Sequence, residues 1–220
     1  MNVLVLGSGG REHAIIKSFT KSKLVSKIFA LPGNGGTSFL ATNINGDIND
    51  FDKIKTEVIN NEISIVFVGP EDPIVNGIYD FFKSDNYLKT VKIIAPSKHA
   101  GQLEGSKEFA KQFMQRYNIP TAKHGTFTRD NIDQAYMFLD NMSSPYVLKA
   151  DGLAAGKGVL IINDLEEAKQ ELRSMIFDKK FGESSSKVVI EQFLDGIELS
   201  CFVLTDGLNY KILPFAKDYK

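Results

Sequence analysis

The sequence contains little cysteine: Cys201 is the single one among 220 residues. One cysteine cannot form an intrachain disulfide, and it excludes a metal centre built from clustered cysteines. Because Cys201 lies in an apolar stretch, we expect it to be a buried strand residue. His13, His99 and His124 are scattered along the chain, so their spacing does not predict a metal site either.

The sequence also lacks long hydrophobic runs and an excess of either charge. No stretch approaches the roughly 18 apolar residues of a membrane span, and the N-terminal apolar run is too short for a signal peptide. We therefore expect a cytoplasmic protein without membrane contact. Lys and Arg number 26 against 27 Asp and Glu, and this balance gives no general attraction to nucleic acid. Any phosphate site must be built locally.

Short runs of Val, Ile and Leu alternate with amphipathic stretches over the first hundred residues. This alternation is typical of a parallel sheet covered by helices on both faces. The predicted strands are residues 3–6, 27–31, 63–68 and 91–95, and the predicted helices are 11–20, 51–60 and 73–82. Ligands on such sheets bind at the carboxyl ends of the strands, where this chain has the loops 7–10, 32–37 and 69–72.

The pattern changes after a predicted helix at 106–117, which Ser106 can cap and whose aromatic stripe predicts core packing. The stripe is Phe109, Phe113 and Tyr117. The remaining segments predict an antiparallel α+β unit. Its predicted strands are 125–128, 146–150, 159–162, 187–192, 199–204 and 210–215, with helices at 132–139 and 165–177.

The first glycine-rich loop, residues 7–10, resembles a dinucleotide-binding turn but departs from it twice. Glu12 stands where the fingerprint has its third glycine, and residues 13–46 contain no acid that could hold a ribose. A nicotinamide cofactor is therefore disfavoured. The turn can still hold a phosphate or carboxylate through backbone N–H groups, or be a tight turn and nothing more.

The second glycine-rich loop, residues 152–158, resembles a P-loop but is one residue short and has Gly158 where magnesium-binding Ser or Thr would stand. It is predicted to join two strands. Such a loop can fold over the phosphates of a nucleotide, and Lys149 and Lys157 would supply positive charge. An ordinary hairpin with solvated lysines is the alternative. Downstream, the strand 188–194 can offer backbone groups to an adenine, and Glu198 can accept hydrogen bonds from a ribose.

Taken in order, these segments resemble the glycinamide ribonucleotide synthetase family, the phosphoribosylamine–glycine ligases of the ATP-grasp superfamily. The similarity covers the whole chain, and its specificity comes from eight motifs in the family's order. They are GSGGREHA (7–14), PGNGGT (32–37), GPEDP (69–73), LEGSK (103–107), IPTA (119–122), KADGLAAGKG (149–158), EQFLDG (191–196) and AKDYK (216–220).

The resemblance implies an α/β fold with a parallel N-terminal sheet of pre-ATP-grasp type, an α+β ATP-grasp lid domain and the truncated start of the central ATP-grasp domain. The corresponding residues are 1–120, 121–190 and 191–220. Family members are longer than this chain, and their magnesium ligands, a Glu and an Asn, would lie beyond residue 220. We therefore expect the 220 residues alone to be inactive.

The resemblance also implies the reaction and its residues. Glycine would be activated by ATP as glycyl phosphate and joined to 5-phosphoribosylamine, with ATP and Mg²⁺ (or Mn²⁺) required. Neither nucleic acid nor a membrane is implied as a partner, whereas fusion to later purine-pathway domains is compatible with the family. The implied catalytic residues are Lys107, Lys149 and Asp218. The implied ATP contacts are Lys107, Lys149, Gly152, Gly156, Lys157, Gly158, Glu191, Gln192, Phe193, Leu194 and Glu198. The implied substrate contacts are Gly9, Gly10, Glu71 and Asp72.

Departures from the family pattern keep alternatives open. Ala95 replaces a usual Gly, while Lys217 and Tyr219 replace Gln and His, which puts the local roles of that segment in doubt. The remaining alternatives are a different ATP-grasp carboxylate–amine ligase, a nucleotide-binding module without catalysis and, least favoured, a nicotinamide dehydrogenase.

Overall fold

A computed structural model describes residues 1–153 and 157–217 of the chain. Within these ranges the strands form one five-stranded sheet, one four-stranded sheet and two small two-stranded sheets. This arrangement confirms the predicted α/β class. No helix in the described ranges has the length and apolar character needed to cross a membrane.

The first sheet is parallel throughout, with the strand order β3-β2-β1-β4-β5. Its central strand β1 is buried on both faces, which explains the uninterrupted apolar run in the sequence. Leu4 and Leu6 pack into one core cluster, and Val3 and Val5 into another. The strands are β1 (Asn2–Gly7), β2 (Lys27–Pro32), β3 (Thr42–Asn43), β4 (Ile63–Val68) and β5 (Lys92–Ile94).

Helices cover both faces of this sheet, as the alternation predicted. Ile16 of α1 packs on Val3 and Val5, whereas Ile54 of α2 and Phe82 of α4 pack on the opposite face. The helices are α1 (Gly10–Phe19), α2 (Phe51–Asn60), α3 (Glu71–Asn76), α4 (Ile78–Ser84) and α5 (Lys98–Gly105).

Two features of this region differ from the prediction. The expected helix 73–82 is two helices, because Gly77 adopts the left-handed conformation (φ 96°) that ends α3. The helix α5 was not predicted at all. Its glycines serve close packing: a Cβ atom at Gly101 would lie 2.8 Å from Ile74 Cγ2, and one at Gly105 would lie 2.9 Å from Val75 Cγ2.

The second sheet is antiparallel, with the order β6-β9-β7-β8, and carries two helices on one face. Their packing confirms the predicted α+β pattern. The strands are β6 (His124–Thr128), β7 (Tyr146–Ala150), β8 (Val159–Ile162) and β9 (Lys187–Gln192). The helices are α7 (Ile132–Asp140) and α8 (Leu165–Phe177), and the side chain of Asp164 caps α8 by accepting from Glu167 N at 2.9 Å.

The connecting helix α6 (Lys107–Arg116) corrects the prediction of an aromatic core stripe. Phe109 and Phe113 are half-buried and Tyr117 is 59% exposed, whereas Lys111 is buried. The face of α6 turned inward is therefore the one that carries its lysines.

The last described segment forms short strands in place of the two longer ones predicted. Strands β10 (Leu199–Ser200) and β13 (Ala216–Lys217) pair with each other, as do β11 (Val203–Thr205) and β12 (Tyr210–Ile212). Cys201 lies between β10 and β11 and is exposed. The expectation of a buried cysteine is therefore wrong, because no element in the described ranges packs over this position.

Candidate functional site

The carboxyl ends of β1, β2 and β4 bring the three predicted loops together at one edge of the first sheet. Gly33 N donates to Gly7 O at 3.1 Å and Gly69 N donates to Leu6 O at 3.1 Å. Asn34 Nδ2 donates to Ser8 O at 2.7 Å. The loops border a cleft of about 330 Å³, lined by Gly7, Ser8, Gly9, Glu12, Pro32, Gly46, Asp47, Ile48 and Pro70.

Glu12 fills the glycine-rich turn with its own side chain. It is buried, and its Oε2 accepts from Gly9 N at 2.7 Å. A Cβ atom would lie 2.7 Å from Glu12 Cδ at Gly7 and 2.2 Å from Glu12 Oε1 at Gly69, so both glycines make room for this carboxylate. The residue that breaks the dinucleotide fingerprint thus occupies a backbone N–H that a bound phosphate would use.

The predicted substrate residues border the same edge. Gly9 and Gly10 are exposed at the start of α1, and Glu71 and Asp72 are exposed in the first turn of α3. Arg11 Nη1 connects the two loops by donating to Gly69 O at 3.3 Å.

A second polar cluster lies on the face of the second sheet opposite α7 and α8. Along β7 and β9 the apolar side chains Leu148 and Ile190 pack against those helices, so the alternating neighbours Lys149 and Glu191 point the other way. Because Lys149 pairs with Val189 and Val147 pairs with Glu191, the two charged residues are diagonal neighbours. Lys149 Nζ lies 2.9 Å from Glu191 Oε2.

Helix α6 places two further ammonium groups at this cluster. Lys107, its first residue, donates from Nζ to Gly152 O at 3.2 Å. Burial lowers the pKa of Lys107; the Asp151 carboxylate opposes that effect and the Lys149 ammonium adds to it. Lys111, one turn later on the same face, has its Nζ 3.3 Å from Glu191 Oε2. The sequence reasoning missed Lys111, although its i+4 spacing from Lys107 was a usable signal.

Asp151 joins the start of the second glycine-rich loop to the start of α6. Its carboxylate accepts from Glu108 N at 2.8 Å and from Ser106 Oγ at 3.1 Å. Lys107 N donates to Asp151 O at 3.3 Å. Lys187 pairs with Glu108, and this hydrogen bond raises the pKa of Lys187. These contacts fix the position from which Lys107 extends.

The second glycine-rich loop joins β7 to β8, as predicted. Ala150 N donates to Gly158 O at 2.8 Å across its base. Gly152 packs closely on Ser184, because a Cβ atom at Gly152 would lie 2.7 Å from Ser184 Cβ. Lys157 is exposed. Gly156, the remaining predicted residue of this loop, lies outside the described residues.

The residues expected around adenine and ribose follow the end of β9. The side chain of Glu191 is directed at the two lysines, so any adenine contact from this residue would use its backbone. Gln192, Phe193, Leu194 and Glu198 are exposed. The third predicted catalytic residue, Asp218, lies outside the described residues.

Comparison with protein families identifies the chain. The family model of the phosphoribosylglycinamide synthetase N domain matches residues 1–104, and that of the phosphoribosylglycinamide synthetase ATP-grasp (A) domain matches residues 105–220. The chain belongs to the phosphoribosylglycinamide synthetase family. The resemblance seen in the sequence motifs is therefore confirmed.

Relatives in this family are phosphoribosylamine–glycine ligases. The chain is 42% identical to the enzyme of Streptococcus pyogenes over 221 residues, which are all of this chain and 51% of the relative. It is 42% identical to the Haemophilus influenzae enzyme, of which it covers 50%. The chain thus spans about half the length of the curated relatives it matches.

Solved structures agree with this assignment. The crystal structure of the Thermotoga maritima phosphoribosylamine–glycine ligase matches with a TM-score of 0.75 and 32% identity, over 98% of this chain and 49% of the other. An N5-carboxyaminoimidazole synthase from Aspergillus clavatus, solved with ADP and 5-aminoimidazole ribonucleotide, matches with a TM-score of 0.72 at 16% identity, over all of this chain and 54% of the other. At that identity the second match supports the fold alone.

Proposed function

We propose that these residues belong to a cytoplasmic ligase that joins glycine to 5-phosphoribosylamine at the expense of ATP, in purine biosynthesis. The observation that carries the proposal is the cluster of Lys107 and Lys149 beside the second glycine-rich loop, in the part of the chain that matches the ATP-grasp domain. Two ammonium groups beside a loop of small residues suit a triphosphate. The domain boundaries we propose remain 1–120, 121–190 and 191–220.

The residues divide the reaction between the two polar regions. Lys107, Lys149, Lys157 and the loop glycines Gly152, Gly156 and Gly158 would hold the phosphates of ATP. Residues 191–194 would line the adenine through the backbone of Glu191 and the exposed Gln192, Phe193 and Leu194, and Glu198 would hold the ribose. The cleft of the first sheet, with Gly9, Gly10, Glu71 and Asp72 at its rim, would receive 5-phosphoribosylamine, and Asp218 would lie near the substrates.

The chemistry requires charge neutralisation more than covalent catalysis. A carboxylate oxygen of glycine attacks the γ-phosphorus of ATP, and the bond to the ADP oxygen breaks to give glycyl phosphate. The amine of 5-phosphoribosylamine then attacks the acyl carbon, loses a proton and releases phosphate. Lys107 and Lys149 stabilise the negative charge that moves onto the phosphate oxygens. A loop closed over the site would protect the acyl phosphate from water.

The described residues do not fit a Mg²⁺ or Mn²⁺ ion at the lysine cluster. Hard cations take several carboxylate or carbonyl oxygens, but the acids of this cluster are already engaged. Glu191 is paired with two lysines, Asp151 accepts from Ser106 and the Glu108 amide, and Glu108 is paired with Lys187. We therefore place the metal ligands outside the described residues and assign no step of the mechanism to the metal here.

A substrate drop-out assay on the full-length parent tests the proposal. We expect ADP release that requires both glycine and 5-phosphoribosylamine. Lys149→Met should lower the rate on the order of a hundredfold, as removal of one charge-stabilising donor does elsewhere. Lys169→Met removes a lysine paired with Asp140 and should leave the rate unchanged. Turnover with a different acid or amine would indicate the alternative ligase, and ATP binding without turnover would indicate a nucleotide-binding module. The mass of the full-length parent shows whether it is fused to other purine-pathway domains.

A further inference from the structure

One carboxylate oxygen in the second polar cluster has two cationic partners with very different access to solvent. Glu191 Oε2 lies 2.9 Å from Lys149 Nζ and 3.3 Å from Lys111 Nζ. The side chains of Glu191 and Lys111 are each 8% exposed, whereas that of Lys149 is 27% exposed. The buried carboxylate is therefore neutralised from two sides, one closed and one open.

Lys111 is held in place on the closed side. Its Nζ also donates to Thr121 Oγ1 at 2.7 Å, so the ammonium bridges β9 and the segment that leads from α6 to β6. Burying an ammonium group is costly unless it is paired, which keeps Lys111 on Glu191. Within the described residues, Lys149 Nζ is bound to Glu191 and has no such second anchor. Its more open position lets this ammonium group turn to an arriving anion.

We propose that Lys111 is a positioning residue of the ATP site. It supplies the permanent counter-charge of Glu191, so that Lys149 is oriented by this carboxylate and remains available to the phosphates. This inference rests on the proposed function, because it assumes that Lys149 contacts ATP phosphates. It assigns to Lys111 no contact with ATP.

The charges of this cluster predict that removal of Lys111 weakens the binding of phosphate to Lys149. The buried Glu191 would then depend on Lys149 alone, and phosphate would have to compete with Glu191 for that ammonium. Removal of the carboxylate as well would end the competition. A role that is only structural predicts that thermal stability and ATP binding fall and recover together, because Glu191→Gln removes the unpaired buried charge. A positioning role predicts weaker binding and slower acylation of Lys149 in a K111M protein that is still folded.

The experiment measures binding of Mg·ATP to the full-length parent by isothermal titration calorimetry. We expect K111M to weaken binding about tenfold, in the range for loss of a charge-assisted interaction. We expect the double variant K111M/E191Q to return to within about threefold of the unmodified protein. K169M is the matched control, since Lys169 also pairs with acids but lies on α8. Thermal unfolding of each variant shows whether it is folded.

A second measurement does not depend on ATP. Acylation of the Lys149 amine by a water-soluble succinimidyl ester, followed by peptide mass spectrometry, reports how tightly Glu191 holds it. We expect slower acylation in K111M and recovery in K111M/E191Q.

Unchanged ATP binding and acylation in K111M would overturn the inference, as would a double variant that binds no better than the single one. If the unmodified protein does not bind Mg·ATP, the proposed function fails instead, and the acylation rates still decide whether Lys111 controls Lys149.

Discussion

The two polar regions of the molecule are held together by different kinds of contact. At the edge of the first sheet the contacts are made by main-chain groups and by the side chains of Glu12, Arg11 and Asn34, each of which bonds to the main chain. Asp47, Glu71 and Asp72 lie near the cleft. On the open face of the second sheet they are made by ionic side chains from separate elements: Lys107, Lys111, Lys149 and Lys187 against Glu108, Asp151 and Glu191.

This difference shows that a glycine-rich motif does not by itself locate an anion site. The turn after β1 has the glycines, but its own carboxylate occupies it. The loop after β7 also departs from a known phosphate motif, yet it begins beside Lys107 and Lys149. The two regions therefore differ in the charged group beside the glycines, a carboxylate in the first and ammonium groups in the second, and not in the number of glycines.

The largest effect is expected from the central acid of the second region. Glu191→Ala leaves Lys111 buried without its counter-ion, and breaking a buried ion pair in this way costs about 3–5 kcal/mol. Urea unfolding of the 220-residue chain measures this loss in the free energy of unfolding. A loss below about 1 kcal/mol, the range of exposed ion pairs, would show that the cluster is not the buried network described here.

In the first region, the free energy of unfolding should depend on the volume of the side chains around Glu12 more than on their charge. Gly69→Ala places a Cβ atom 2.2 Å from Glu12 Oε1, so we expect a loss of about 1–3 kcal/mol in the free energy of unfolding from overpacking. Gly35→Ala is the control, because a Cβ atom there meets nothing within 4 Å. In the double variant E12A/G69A the loss should be smaller than the sum of the single losses. Strict additivity would mean that Glu12 does not occupy the turn.

The pH dependence of ATP binding should report the protonation of Lys107, the half-buried lysine at the start of α6. The pKa of Lys107 is lowered chiefly by burial, so this ammonium loses its proton at a lower pH than an ordinary lysine. Affinity for Mg·ATP should therefore fall as the pH rises through that lowered pKa. Lys107→Arg keeps its charge, and its affinity should stay nearly constant over the same range. Identical alkaline profiles for the two proteins would exclude a charge role for Lys107.

The smallest effect is expected from a partly exposed ion pair that joins α2 to the residue that ends α4. Lys55 Nζ lies 2.6 Å from Asp85 Oδ2, and this hydrogen bond, with the Leu88 and Tyr87 amides, lowers the pKa of Asp85 from 3.8 to about 2. A lowered carboxyl pKa stabilises the fold above the unfolded value, and that contribution is lost as the pH falls through the folded value. Asp85→Asn should therefore be slightly less stable at neutral pH, and the difference should shrink between pH 3.8 and about 2. A difference that does not change with pH would contradict this assignment.

Sequence reasoning located most of the elements because their signals are local. Helices α2 and α8 and strands β7, β8 and β9 follow from the periodicity of their apolar residues. The helix α5 was not predicted because Gly101 and Gly105 disfavour a helix in the sequence. Only the structure shows that these glycines allow close packing against α3.

The roles of Glu12 and Lys111, which organise the two polar regions, could not be predicted from a local sequence pattern either. The sequence showed that Glu12 breaks a fingerprint, but not that its carboxylate replaces the expected anion. It showed a lysine at position 111, but periodicity reports which face of a helix is buried and not which partner it meets. Lys107 and Lys149 were found only through the resemblance to a family and the charge around one loop.

We propose that the phosphates of ATP bind in the second region. A crystal structure of the full-length parent with Mg²⁺ and a hydrolysis-resistant ATP analogue tests it directly. We predict that the phosphate oxygens lie within hydrogen-bond distance of Lys107 Nζ and Lys149 Nζ, with Lys111 still on Glu191. Phosphates bound at the Gly7–Gly10 turn, with the Glu12 carboxylate displaced, would contradict it.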